Sequence, residues 1–209
     1  MIKSVHVKSV VCDIVVDPPE NSRVGLIFSG GIDSTLILIL LNRLRKQRNL
    51  QITTFTIENI CGYDEHVLKI LSDPQFFGIK AVTRIDNNRD FSGYIDGTIE
   101  KILARDDLDI IYTGVNAVPE ALMTYPHPPR PNFERVAEFK KLRCPLLNLT
   151  KDFVVAAYLQ ILDAEERRLF SLTRSCTDPD RNNCGQCYQC IEKEWALEQV
   201  GVSAMDCFD

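Results

Sequence analysis

The chain has 209 residues, 45% hydrophobic and 25% charged, the make-up of one globular domain with room for a small appendage. A formal net charge of −5 argues against broad electrostatic attachment to nucleic acid and leaves only a local basic groove open. No apolar run reaches the ~18 residues of a membrane span, and Met1 to His6 holds no secretory h-region, so a soluble, cytoplasmic protein is expected.

Val5 to Val16 is rich in Val and Ile and predicts one or two strands, ended by the break at Asp17-Pro18-Pro19-Glu20-Asn21-Ser22. Arg23 to Phe28 is a short, almost wholly apolar strand, as expected where both faces of a parallel sheet are covered. Ser34 to about Gln47 predicts a helix that is apolar nearly all the way round, hence buried. It ends in Arg43, Arg45, Lys46 and Arg48, where the helix dipole favours cations. A second strand is expected over Gln51 to Glu58, a helix over Tyr63 to Leu71, and a third strand within Gly78 to Ile85. Tyr94 to Ala104 predicts a helix, and Leu108 to Val115 a fourth strand ending near Gly114. Tyr125 to Asn132 is a Pro-rich loop, suited equally to specificity and to plain surface connection. A helix is expected over Glu134 to Leu142, then a short extended segment broken by Pro145. Thr150 stands as N-cap of a helix from Lys151 to about Leu162, and Glu165 to Arg168 reads as an exposed turn.

Strands alternating with helices predict an α/β fold built on a doubly wound parallel sheet. Such sheets bind ligands at the carboxyl ends of their strands, at a topological switch point. Ile27 to Thr35, Thr56, Ile57 and Gly114 fall on that edge.

The stretch Phe28-Ser29-Gly30-Gly31-Ile32-Asp33-Ser34 lies between the first core strand and the first helix. A glycine-bearing turn there aims backbone N–H groups and the positive end of a helix dipole at an anion. Gly30 and Gly31 allow close approach, Ser29 and Ser34 offer hydroxyls, and Asp33 can cap the helix or hold a metal ion. A tight turn capped by Asp33 is the plain alternative. No Lys follows the glycines, so the G-x-x-x-x-G-K-[ST] loop is excluded.

Four of the eight cysteines, Cys176, Cys184, Cys187 and Cys190, form C-x7-C-x2-C-x2-C. Four thiolates with no open position suit a structural Zn²⁺; an iron–sulfur cluster or a redox pair stay open as readings of the same residues. Cys12, Cys61, Cys144 and Cys207 are expected as small buried or free thiols, and His66 and His127 as solvated or hydrogen-bonded side chains.

The string S-G-G-x-D-S resembles the PP-loop of the ATP pyrophosphatases, which release pyrophosphate from ATP. Joined to the C-terminal cysteine motif it resembles the 7-cyano-7-deazaguanine synthase family. That likeness rests on Ser175-Cys176, Cys184-Gly185-Gln186-Cys187-Tyr188-Gln189-Cys190, Tyr112-Thr113-Gly114-Val115, Tyr125-Pro126 with Arg130 and Phe133, and Cys144-Pro145-Leu146 leading to Lys151. It implies an ATP-, Mg²⁺- and zinc-dependent ligase that converts a deazapurine carboxylate and ammonia to an amide or nitrile. Ile27, Phe28, Ser29, Gly30, Gly31, Ile32, Asp33, Ser34, Thr35, Thr56, Ile57 and Gly114 would hold ATP. Asp33, Ser34 and Lys151 would be catalytic, Tyr125 and Arg130 would touch the base, and the four clustered cysteines would hold zinc.

Three departures are visible. Asn87 to Leu108 is short and lacks the family's V-P-x-R-N motif. Leu122-Met123-Thr124 stands where the family has an acidic residue. Val5 to Val16 is additional. The resemblance implies one domain over 1–209, with a strand addition at 1–20, a nucleotide-binding core at 24–162 and a zinc segment at 170–200. Alternatives are activation of another carboxylate and a tRNA-modifying enzyme of the thiolation or lysidine type. No membrane partner is expected, nucleic acid is disfavoured, and a homodimer is kept open.

Overall fold

The computed structural model describes residues 1–56, 64–83, 100–126, 139–176, 178 and 183–203. The apolar segment after the Pro-rich break forms the central strand of the main sheet, β3 (Arg23–Ile27), preceded by a separate antiparallel hairpin of β1 (Ile2–Val7) and β2 (Val10–Val15). Around β3 lie β4 (Gln51–Thr56), β5 (Lys80–Thr83), β6 (Ile110–Thr113) and β7 (Leu142–Arg143), in the order β5-β4-β3-β6-β7, with every pairing parallel. The chain steps outward from β3 to β4 and β5, then returns to β3's other side for β6 and β7. The order therefore reverses between β3 and β6, which makes their carboxyl ends the switch point.

Alternate side chains on a strand point to opposite faces, and the two faces meet different cores. Val24, Leu26, Ile110 and Tyr112 join a cluster with the helix α1 (Ile32–Arg45) and the helix α3 (Lys151–Gln160). Ile111 and Phe55 point the other way, to Ile102, Leu108 and Leu142. Gly25 lies between the strands on that second side, where a Cβ would come within 3.0 Å of Leu108 and 3.3 Å of Phe55. With both faces covered the sheet is doubly wound, as the alternation of elements predicts.

Helix α1 buries Ile32, Leu36 to Leu41 and Leu44, as expected from its all-round apolar surface. Three further helices, α4 (Ala164–Arg167), α5 (Leu169–Leu172) and α6 (Tyr188–Val200), follow α3, and α2 (Asp64–Leu71) follows β4. The β1–β2 hairpin sits on α3 through Val5, Val7 and Ile14. Gln160 also accepts from His6 N at 2.9 Å and donates to His6 O at 2.7 Å.

Several expectations are corrected. The first helix begins at Ile32, its N-cap is Gly31, and Asp33 lies inside the first turn, so Asp33 is not the cap. Thr150 is the N-cap of α3 by position, but its hydroxyl donates to Asp152 instead of capping the backbone. Leu142 belongs to β7 and not to a helix; the rest of the helix expected from Glu134 lies mostly outside the described residues. Residues 165–168 are not an exposed turn. Asp163 and Glu166 form a reciprocal capping box at the start of α4, and Glu166 is buried, accepting from Arg43 Nε at 2.7 Å. Arg43 is thus held by a specific partner and is more than a dipole-complementing charge. Helix α6 has no counterpart among the predicted elements.

Candidate functional site

Strand β3 delivers the chain to the switch point, and residues 28–31 turn there into α1. Gly30 sits at φ +71°, a conformation that disfavours a side chain, and a Cβ on it would stand 2.7 Å from the His66 imidazole. Helix α2 thus lays His66 directly against the loop. From the neighbouring strand, Gly114 abuts the start of α1 so closely that a Cβ would lie 2.7 Å from Ser34 N and 2.9 Å from the Asp33 carbonyl carbon. The ends of β3 and β6 are therefore joined by backbone contact.

The hydroxyls of Ser29 and Ser34 are 3.2 Å apart; Ser29 Oγ accepts from Gly31 N at 3.3 Å, and Ser34 donates to Gly31 O at 3.2 Å. Ser29 is exposed, Ser34 and Thr35 are buried, and Asp33 is half-buried. Tyr158 of α3 donates to Ile32 O at 2.9 Å and so ties the helix start to the core. Thr56 and Thr113, both buried, end the two strands that flank β3.

Asp33 does not stand by itself. Its Oδ1 accepts from Asn116 Nδ2 at 3.1 Å, and its Oδ2 lies 3.1 Å from Lys151 Nζ. Lys151, the first residue of α3, is buried and also meets Glu192 Oε2 at 2.8 Å. Glu192 is fully buried on α6 and accepts from Tyr188 OH at 3.2 Å. The expected Asp33 and Lys151 are thus brought together as a pair. Asn116, Glu192 and Tyr158 are further members that the sequence reading omits. Lys193, whose Nζ lies 4.7 Å from the Phe170 ring centroid, has its pKa held below the usual lysine range by burial and by the nearby Lys151.

The four clustered cysteines converge as expected, with all four Sγ atoms within 4.8 Å of one another. Tetrahedral coordination at a Zn–S distance of ~2.3 Å places sulfurs about 3.8 Å apart. A cubane cluster spreads its thiolates over four iron corners and needs them wider. The donor set therefore fits a single ion. Backbone N–H groups already point at the sulfurs: Asp178 N and Cys184 N donate to Cys176 Sγ, each at 3.4 Å, and Cys187 N donates to Cys184 Sγ at 3.2 Å. The amides of Cys187 and Gln186, both donating to Cys184 Sγ, hold the Cys184 thiol below its usual range, while burial pushes Cys190 up to about 12. A bound cation reverses that second cost by holding the sulfurs as thiolates. Cys12 and Cys144 are half-buried and free, and burial pushes the Cys144 thiol up to about 11.

The loop and the cysteine centre are adjacent. Arg174 N donates to Gly30 O at 3.1 Å, two residues before Cys176. Tyr125 is half-exposed and lines a cavity of about 390 Å³ with Leu122, Ile191, Trp195, Glu194 and Glu198, beside Cys190. The lining of that cavity includes no residue of the loop. Ile57, Arg130, Cys61, His127 and Cys207 lie outside the described residues.

Comparison with known proteins agrees at the loop. Residues 20–72 match the family model described as asparagine synthase. No curated protein matches the chain. Among solved structures, the chain is similar to the U34-tRNA thiolase NcsA from Methanococcus maripaludis with its [4Fe-4S] cluster. That likeness has 17% identity and a TM-score of 0.45, over 87% of this chain and 72% of that one. It is also similar to a predicted subunit of tRNA methyltransferase from Methanocaldococcus jannaschii, at 17% identity and a TM-score of 0.47, over 87% of this chain and 89% of the other. The family match at residues 20–72 spans the strand, glycine turn and first helix at the switch point of the five-stranded parallel sheet.

Proposed function

We propose that the chain is an ATP-dependent, AMP- and pyrophosphate-forming synthetase that activates a carboxylate, with a deazapurine carboxylate and ammonia as substrates. The observation that carries this reading is the S-G-G-x-D-S loop at the β3–β6 switch point, with Asp33 held by Asn116 and the buried Lys151. The loop amides and the Ser29 and Ser34 hydroxyls bind the triphosphate, and Thr56 and Gly114 flank the nucleotide. Lys151 offsets phosphate charge, and Asp33 orients Lys151 and would help hold the Mg²⁺ that accompanies ATP. The four cysteines would hold zinc and so fix the C-terminal segment; four sulfurs leave no open position, so its role would be structural.

In the reaction, a carboxylate oxygen attacks the α-phosphorus and the bond to the β-phosphate breaks, releasing pyrophosphate. Ammonia then attacks the acyl carbon; the new C–N bond replaces the C–O bond, and AMP and a proton leave to give the amide. A second ATP then adenylates the amide oxygen, with release of pyrophosphate and one N–H proton, and loss of AMP and the remaining N–H proton gives the nitrile. The chain's contribution is alignment and charge stabilisation. Tyr125 and Arg130 contact the base.

The test is incubation with ATP, Mg²⁺, 7-carboxy-7-deazaguanine and ammonia, following AMP, pyrophosphate and the base by mass spectrometry. AMP with amide or nitrile is expected. ADP as product would overturn the nucleotide chemistry, and AMP release without amide or nitrile would overturn the substrate. Salt-dependent retention of tRNA on a filter would move the substrate to RNA. One equivalent of zinc is expected on metal analysis; iron with inorganic sulfide would replace it by a cluster.

A further inference from the structure

The cysteine centre reaches the PP-loop along two arms, one from each end of the ligand set. Upstream of the first ligand, Arg174 N donates to Gly30 O at 3.1 Å, while the Arg174 guanidinium donates to Asp178 O. Asp178 N in turn donates to Cys176 Sγ at 3.4 Å. Downstream of the last ligand, Glu192 follows Cys190 by two residues and grips Lys151 at 2.8 Å, and Lys151 holds Asp33 at 3.1 Å. Both arms end inside residues 30–33, the centre of the loop.

The second arm is the unusual one. Glu192 is fully buried, and a buried carboxylate is costly unless paired. An apolar residue on the inner face of α6 would stabilise the packing as well or better. What Glu192 supplies is placement, since it gives the ammonium of Lys151 a second carboxylate partner besides Asp33. Its own position depends on the first turn of α6. That turn starts at Cys187, an N-cap residue that makes no side-chain capping bond, and it contains Cys190. Tyr188, between these two ligands, donates to Glu192 Oε1 at 3.2 Å. A metal ion taken up by Cys187 and Cys190 would hold this turn in register.

We propose that Glu192 is a positioning residue that makes the PP-loop depend on the cysteine centre: metal bound by Cys176, Cys184, Cys187 and Cys190 fixes the start of α6, and Glu192 transmits that order to Lys151 and Asp33. This rests on the nucleotide reading above only for its binding arm; the order of the loop itself is measurable without ATP.

The experiment uses the full chain, loaded with zinc, stripped by a chelator, and reloaded. Backbone hydrogen exchange over residues 28–35 is read by mass spectrometry, and ATP·Mg²⁺ affinity by calorimetry. Stripping is expected to raise loop exchange and weaken ATP by about tenfold or more, with recovery on reloading, as coupled sites require. Glu192→Gln is expected to keep one equivalent of zinc yet show the loop exchange and weak ATP binding of the stripped protein. Tyr188→Phe shifts both readouts in the same direction, by a few-fold. A loop unchanged by stripping overturns the proposal, as does zinc-loaded Glu192→Gln with wild-type exchange and affinity. Should Glu192→Gln not fold, stripping and Tyr188→Phe decide by the same criteria. Loaded wild type that binds no ATP would defeat the nucleotide reading alone, and the exchange arm would still decide the coupling.

Discussion

At the scale of single residues, the close approach of the end of β6 to α1 leaves no room for a side chain at Gly114. Its Cβ would meet backbone atoms, Ser34 N at 2.7 Å and the Asp33 carbonyl carbon at 2.9 Å, and neither can move without shifting the start of α1. Gly114→Ala is expected to cost about 2 kcal/mol or more in urea unfolding. Gly31 provides the contrast. A Cβ there meets Ser29 Oγ at 3.4 Å and Arg174 O at 3.6 Å, ordinary contacts, and its φ is −76°. Gly31→Ala should leave folding stability within about 0.5 kcal/mol. Equal losses for the two variants would contradict the backbone contact. Asp33 is argued at the same scale. Removing it leaves Lys151 paired with Glu192 at 2.8 Å, so the core keeps a compensated charge. Asp33→Ala is therefore expected to abolish AMP formation, by about 100-fold or more, with a cooperative melt retained; a variant that turns over normally would remove Asp33 from the chemistry.

Among the elements, α3 links the sheet edge to the rest of the molecule. Its Tyr158 sends a hydroxyl to Ile32 O at 2.9 Å, at full burial. Tyr158→Phe removes that second donor from a carbonyl at the helix start and should cost about 1 kcal/mol, readable in denaturant unfolding; no loss would mean the bond contributes nothing net. The elements also show what pattern reading can reach. The strand before the loop and helix α1 were legible because both are nearly all apolar, and both are almost wholly buried. Glu166 was not legible, since a charged residue in a polar run reads as exposed until Arg43, over a hundred positions away, is brought beside it. Helix α6 was missed for a related reason. Its inward face carries Glu192, which breaks the apolar periodicity that would have marked it. Strand β7 has two residues, too few for any period. In the site, the glycines, serines and cysteines announced themselves by spacing, whereas Asn116 and Glu192 matter only through partners that the fold supplies.

Across the whole molecule, the C-terminal segment is docked on the core from two directions: α6 packs on α3 through Ala196 and Leu197, and the cysteine centre joins Cys176 to the start of α6. Apolar packing and a bond from Lys8 Nζ to Gln199 Oε1 at 2.7 Å secure the second half of α6. The sequence between Cys176 and Cys184 is polar and offers little apolar surface to bury. Two cysteine substitutions separate these contributions. Cys187→Ser deletes one of four converging sulfurs and should lower bound zinc well below one equivalent, with faster proteolysis between residues 176 and 190. Cys144 is half-buried beside the smaller core, with its thiol pushed up to about 11, so it is protonated and inert at neutral pH. Cys144→Ser should leave zinc content at the wild-type level and change stability only through lost packing. One full equivalent of zinc retained by Cys187→Ser, or zinc lost equally from Cys144→Ser, would break the assignment of the ion to these four residues. The expected contrast would show the metal acting on the joint between tail and core.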